Sequence, residues 1–260
     1  MSRPGTSQYE SEGTNMPPLV YETVAWLRFY CRLPVPPLPG EIDPGAAPDP
    51  ARTGYAAPIA GAVIGAVGGL VVVIAATLGA TNFVAASLGV LALMIVTGAR
   101  AESALAAGAD RRSIAQYVQF GMIAIAAVVL LRTGAIDALL VHGVWKTAFV
   151  LAGAAAVSRT AALALVLMRP ATPDGTTPAS GGGALQWLAV SGLAIGILAV
   201  LPFHGIGAAI AGIAAAAGAA ALVSAFLPRD ADAASGEFTA TTELFAEIAF
   251  LIAVLAFAGS

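Results

Sequence analysis

From about residue 56 onward the chain alternates long apolar runs with short polar breaks. Runs of about 20 residues, the length that crosses a bilayer core, fall at roughly 56–78, 82–99, 114–131, 144–168, 184–202, 206–226 and 241–258. The pattern predicts about seven transmembrane helices. The fourth is interrupted by Lys146 and Arg159, and the fifth and sixth are joined by a tight turn at Pro202, Phe203, His204 and Gly205. Ahead of them, Tyr21 to Val35 mixes aromatic residues with Arg28 and Arg32, is too charged to span easily, and reads as an N-terminal interfacial helix. Pro34, Pro36, Pro37 and Pro39 stop it. A Pro/Gly/Asp linker follows to Arg52, and residues 1–18 read as a disordered tail without the apolar core of a secretory signal. The expected fold is all-α: a polytopic membrane helix bundle, one integral membrane domain over 19–260.

Composition strengthens that reading. Of 260 residues 58% are hydrophobic and only 10% charged, where soluble domains carry about 25%. So few charges would not cover a water-facing surface. The net charge of -3 offers no basis for a nucleic-acid partner. Cys31 is the single cysteine, so no internal disulfide forms, and it reads as a small apolar filler.

Basic residues set the expected orientation. With the N-terminus in the cytoplasm and seven spans, Arg3, Arg28, Arg32, Arg52, Arg100, Arg111, Arg112, Arg169 and Arg229 lie inside. Arg132 alone falls in an outer loop, so the positive-inside asymmetry supports this orientation; the expected location is a bacterial inner membrane. The stretch from Thr97 to Arg112 is then a cytoplasmic loop. Gly61, Gly65 and Gly69 make a small-residue face on the first span, and the sixth has almost no bulky side chain. Such faces allow close helix approach, either within one subunit or in a homo-oligomer.

Few residues can carry chemistry. Arg159 is buried in an apolar run, where a charge is expensive and is paired or faces a cavity. Glu243 and Glu247, four apart on the last span, are its natural partners. Together they read either as an anionic-ligand site at the inner leaflet or as an ion pair locking two helices. Glu102 and Asp110 lie among Arg100, Arg111 and Arg112, a set able to hold phosphates on arginine and Mg²⁺ on carboxylate, or merely to mark orientation. His142 and His204 are 62 residues apart with no cysteine nearby, and are not expected to hold a metal.

Several segments, in order, resemble the cobalamin synthase family, adenosylcobinamide-GDP ribazoletransferase. Phe29 to Pro36 (FYCRLPVP) is similar to its F-x-T-R-L-P-V-P start, and Ala57 to Gly69 to its first span. Thr97 and Gly98 match the Thr-Gly that opens its acidic motif, Ser158 and Arg159 its later Ser-Arg pair, and Ser235 to Leu244 its Thr-Gly-Asp segment with the following glutamate. The resemblance implies a membrane enzyme that joins α-ribazole or its 5′-phosphate to adenosylcobinamide-GDP with Mg²⁺, releasing GMP. It implies Arg32, Arg159 and Glu243 as catalytic, Arg111 and Arg112 on substrate phosphate, and Glu102, Asp110 and Glu237 on the metal. Two family aspartates correspond to Ser103 and Ala107, so the acidic motif is depleted. A non-catalytic relative that binds corrinoid or nucleotide, or scaffolds a membrane complex, is the alternative. A small transporter is the third reading, weakened by the absence of internal repeats.

Overall fold

The computed structural model describes residues 17–32, 34–39, 41, 43–112, 119–168, 182–226 and 236–258. All their regular elements are helical: α1 (Pro18–Tyr30), α2 (Pro50–Thr53) with a 3-10 turn (Gly54–Ala56), α3 (Ala57–Thr77), α4 (Asn82–Thr97), α5 (Arg100–Arg112), α6 (Gln119–Leu140), α7 (Val144–Leu167), α8 (Gly182–Phe226) and α9 (Gly236–Ala258). Five helices are long and apolar enough to cross a membrane, and α4 with α5, bent by 85°, make a sixth when taken together. The chain is a polytopic helical membrane bundle. Most of the tail expected over 1–18 lies outside the described residues, as do Arg169 and Arg229.

The 45 residues of α8 do not run straight. At Gly205 the backbone turns to φ 80 and ψ 172, a conformation open to glycine but costly for other residues. A side chain built on Gly196 would touch Ile213 at 3.6 Å, although the two are 17 positions apart and would be about 25 Å apart along a straight helix. The two arms therefore fold back on one another, and they are the fifth and sixth predicted spans.

Helix α7 is the centre of the bundle, and its neighbours approach it through glycine. Cβ atoms at Gly61, Gly65 and Gly69 of α3 would fall 2.6, 2.4 and 2.9 Å from backbone atoms at Ala155, Leu151 and Ala148 of α7. The glycine face is thus filled within the subunit, the first of its two readings. Removing side chains brings the two backbones together where apolar burial alone offers no driving force.

Two expectations are corrected. The third span is not 114–131 but α6, which runs on through Arg132 to Leu140. Hydropathy treats the arginine as a stop, whereas partners on other helices satisfy it inside the bundle. The stretch after Thr97 is not a loop but helix α5, as its alanine-rich sequence favours.

Helix α1 also ends earlier than expected, at Tyr30. It is tied down at the end of the bundle where α3 begins and α4 stops. Buried Trp26 donates Nε1–H to the carbonyl and hydroxyl of Thr53 at 2.8 and 3.1 Å, and the Arg32 N–H donates to the Val96 carbonyl at 2.9 Å. Arg28 binds Glu41 and the Val35 carbonyl, folding the proline linker back. Burial alone would raise the Glu41 carboxyl, but the Arg28 guanidinium and the Leu38 N–H outweigh it and hold it below the ordinary range. Burial pushes the Cys31 thiol up, more than Arg159 pulls it down. The thiol form is the inert one.

Gly65→Ala forces a methyl onto the Leu151 carbonyl and is expected to destabilise the detergent-solubilised protein by about 1–3 kcal/mol. Gly134→Ala, where nothing lies within 4 Å, should be neutral or stabilising by up to about 1 kcal/mol; thermal unfolding measures both. The Glu41 contribution, present where the carboxylate is ionised also in the unfolded chain, is lost as pH falls through its lowered folded value. Proteolysis of the 34–41 linker should therefore rise below about pH 4 in wild type and not in Glu41→Gln.

Candidate functional site

Six ionisable side chains from four helices meet on one cavity at this end of the bundle: Arg100 and Glu102 of α5, Arg132 of α6, Arg159 of α7, and Glu243 and Glu247 of α9. All but Arg100 are at least nine-tenths buried, with exposures of 2% for Glu102, 4% for Arg132, 5% for Arg159, 9% for Glu243 and 7% for Glu247. The cavity is narrow, about 30 Å³, room for one or two waters. Arg100 also lines an open basin of about 390 Å³ beside it, with Ser103, Ala104, Gly236 and Glu237.

The turn from α4 to α5 positions the first two of these groups. Gly98 (φ 64) and Ala99 (φ 50) are both left-handed, which swings α5 across the bundle. A left-handed alanine costs about 1–2 kcal/mol, strain of the kind that gathers at functional sites. Gly98 is needed twice, since a Cβ there would also meet the Arg32 side chain at 2.5 Å. Beyond the turn, Ala101 and Leu105 pack with Val128 of α6 and Leu244 and Ile248 of α9. Glu102 lies on the same inward side.

Arg132 is the hub. Its Nη1 donates to Glu102 Oε1 at 2.9 Å and its Nη2 to Glu247 Oε1 at 2.6 Å. One guanidinium thereby joins α5, α6 and α9. It does not lie in an outer loop, and Glu247 pairs with it rather than with Arg159. Arg159 instead donates Nη1–H to the Ala155 carbonyl of its own helix at 2.8 Å. Its guanidinium stacks 5.1 Å from the centre of the Tyr30 ring, and Gly61 makes room for its Cδ. Glu243 is within electrostatic reach of Arg159 and Arg100 and has no ion pair among the described residues. Burial pushes the Tyr30 phenol far above its ordinary value, with Glu243 adding to the rise. Tyr30 therefore lines the cavity as a neutral hydroxyl.

The structure brings Glu102, Arg159 and Glu243 onto the cavity and Glu237 onto the basin. Arg32 is exposed, its stem lying on Gly98. Asp110, expected on the metal, lies two turns beyond Glu102 along α5 and lines neither the cavity nor the basin; its Oδ1 accepts the Gly121 N–H at 2.8 Å, a clasp between α5 and α6. The side chains of Arg111 and Arg112 lie outside the described residues. Sequence reasoning put Arg132 in an outer loop, did not separate Arg100 from Arg111 and Arg112 as a candidate phosphate holder, and passed over Tyr30. Arg132 had a usable signal, because the run from Thr133 to Leu140 lets the helix continue past it. His142 and His204 do approach at the opposite end, with ring centres 6.3 Å apart. No group of three His, Cys, Asp or Glu positioned for a metal occurs among the described residues.

An apolar bundle that gathers opposed buried charges at one end, around a cavity that shares Arg100 with an open basin, is a multi-pass membrane protein with a polar site. Residues 22–110 match the family described as Cobalamin-5-phosphate synthase. The chain is 35% identical to an adenosylcobinamide-GDP ribazoletransferase of Azorhizobium caulinodans, over 90% of this chain and 95% of that one. It is 35% identical to one of Xanthobacter autotrophicus, over 93% and 98%, and 28% identical to one of Bradyrhizobium diazoefficiens, over 88% and 91%. No solved structure matches it. The chain belongs to the adenosylcobinamide-GDP ribazoletransferase family, a family of transferases.

Removing Arg132 leaves two buried carboxylates facing each other. Arg132→Leu is expected to cost about 3–5 kcal/mol, whereas the neutral triple variant Glu102→Gln, Arg132→Met, Glu247→Gln recovers most of it. Thermal unfolding in detergent measures the difference. Equal stability of Arg132→Leu and wild type would show that the triad holds nothing together.

Proposed function

We propose that the chain is an adenosylcobinamide-GDP ribazoletransferase of cobalamin biosynthesis, joining α-ribazole or its 5′-phosphate to adenosylcobinamide-GDP and releasing GMP. The identity of the three relatives as adenosylcobinamide-GDP ribazoletransferases supports this, and so does one observation of geometry. The segments that carry the family resemblance, from α1 to α5 and on α7 and α9, each send residues to the same cavity. In the reaction a ribazole hydroxyl attacks the phosphorus that bears cobinamide. The new O–P bond forms, the bond from that phosphorus to GMP breaks, and the hydroxyl proton must leave. Glu243 is the group placed to take it, being a carboxylate on the cavity with no ion pair among the described residues. Arg159 and Arg100 face the charge that develops as GMP departs.

The oxygens left over also suit a Mg²⁺ ion that arrives with its diphosphate. Glu102 Oε2 is buried without a hydrogen-bond partner among the described residues, and Glu243 faces the same cavity. Mg²⁺ is commonly held by one or two carboxylates together with substrate phosphates. When bound it would polarise the phosphoryl oxygens. Glu237, on the basin, is the third candidate carboxylate.

The site end carries Arg28, Arg32, Arg52 and Arg100, and this basic bias supports a site facing the cytoplasm from an inner membrane. Soluble nucleotide substrates reach it there.

The test is GMP release from adenosylcobinamide-GDP by membranes containing the full chain. We expect release dependent on Mg²⁺ and on ribazole, with Glu243→Gln slower by about 10²–10⁴. Substrate binding without any turnover would overturn the transferase reading in favour of a binding relative. Orientation is read separately in a Cys31→Ser background. A membrane-impermeant thiol reagent added to intact cells should label Leu78→Cys, at an 82% exposed position of the opposite end, and spare Arg52→Cys; the reverse labelling inverts the topology.

A further inference from the structure

We propose that Arg100 binds the substrate's diphosphate, holding it in the basin at the mouth of the charged cavity. The inference rests on the transferase reading only for the identity of the substrate; the case for an anion rests on the arginine itself. Among the residues lining the cavity and the basin, Arg100 is common to both. Arg132 has two carboxylates and Arg28 has one. Arg100 has no ion pair among the described residues. Its Nη1 donates to a neutral acceptor, the Phe29 carbonyl, at 3.1 Å. Its Nη2 is buried and has no hydrogen-bond partner among the described residues. A buried guanidinium N–H left unpaired is costly, so the geometry lacks an acceptor at this point.

The arginine is also held in place. Its Cζ lies 4.7 Å from the centre of the Phe29 ring and 5.8 Å from that of Tyr30. A guanidinium stacked on aromatic rings loses little further freedom on binding, and its fork matches phosphate oxygens. Arg100 opens α5, whose first described backbone bond runs from the Ser103 N–H to the Ala99 carbonyl. The N–H groups of Arg100, Ala101 and Glu102 therefore have no helical partner and add positive potential at the same spot.

Space decides where the anion sits. The inner cavity admits only one or two waters, whereas the basin, at about 390 Å³, is within the range of small-ligand sites. The diphosphate therefore rests in the basin against Arg100, and its reacting phosphorus faces inward to Glu243. The sequence offers Arg100 only as one of three arginines able to hold phosphate or to mark orientation, and does not separate it from Arg111 and Arg112.

The experiment compares wild type, Arg100→Gln, Arg100→Lys and the control Arg52→Gln, each as the full chain in membranes. Arg52 is exposed and lines neither cavity nor basin. Two readouts are taken: KM for each substrate, and the shift in thermal unfolding caused by inorganic diphosphate. For Arg100→Gln we expect KM for adenosylcobinamide-GDP to rise roughly ten- to a hundredfold. KM for α-ribazole, which carries no diphosphate, should stay unchanged, and the diphosphate shift should vanish. Arg100→Lys should recover part of both, and Arg52→Gln should match wild type. Equal rises in both KM values, or a diphosphate shift kept in Arg100→Gln, would overturn the assignment while leaving the transferase reading intact. A wild-type shift that depends on Arg100 without turnover would keep the anion site and remove the reaction. No wild-type shift at all would overturn the anion site.

Discussion

One buried arginine sets the terms for the rest of the site. Arg132 stands between Glu102 and Glu247, with all three removed from water. A lone charge at the centre of a membrane helix costs about 2.5–3.5 kcal/mol even on permissive scales. Three separate ones would prevent the bundle from forming. Brought together they satisfy one another, and the requirement fixes how α5, α6 and α9 must meet. The 85° bend into α5 and the antiparallel arms of α8 bring the remaining charges and the packing partners of α9 to where that meeting can occur.

The triad also leaves a remainder. Each glutamate gives one oxygen to Arg132, and Glu102 keeps the other buried and unpartnered. Glu243, Arg159 and Arg100 surround the same space without closing into ion pairs. Three positive and three negative groups line it. Acidic and basic groups are matched in number there. On the transferase reading proposed above, a diphosphate arriving with its cation would leave that match undisturbed.

The fold was largely legible in the sequence and the site was only partly so. The runs at 56–78, 144–168, 184–202, 206–226 and 241–258 correspond closely to α3, α7, the arms of α8, and α9, because uninterrupted hydropathy needs no tertiary information. The errors share one cause. Arg132 was placed in a loop and α6 was shifted with it, because a hydropathy pattern scores a charge by itself and takes no account of carboxylates 30 and 115 residues away in sequence. The helical nature of α5 was masked in the same way by its mixed charges. Arg159, Glu102 and Glu243 could be singled out because a charge in an apolar run, or one matching a family motif, needs no partner to be noticed. Arg100 could be grouped only with Arg111 and Arg112, since what distinguishes it lies in the ring of Phe29 and in two adjoining spaces.

The position of Glu247 near the end of the chain has a consequence for biogenesis. Helices enter the membrane in order, so Arg132 is made long before α9. Until the last helix arrives, the guanidinium has one of its two carboxylates, Glu102 on α5, and its Nη2 waits for Glu247. Synthesis that stops before residue 236 leaves that half of the fork without its acceptor. The same contact thus ties completion of the buried network to the arrival of α9.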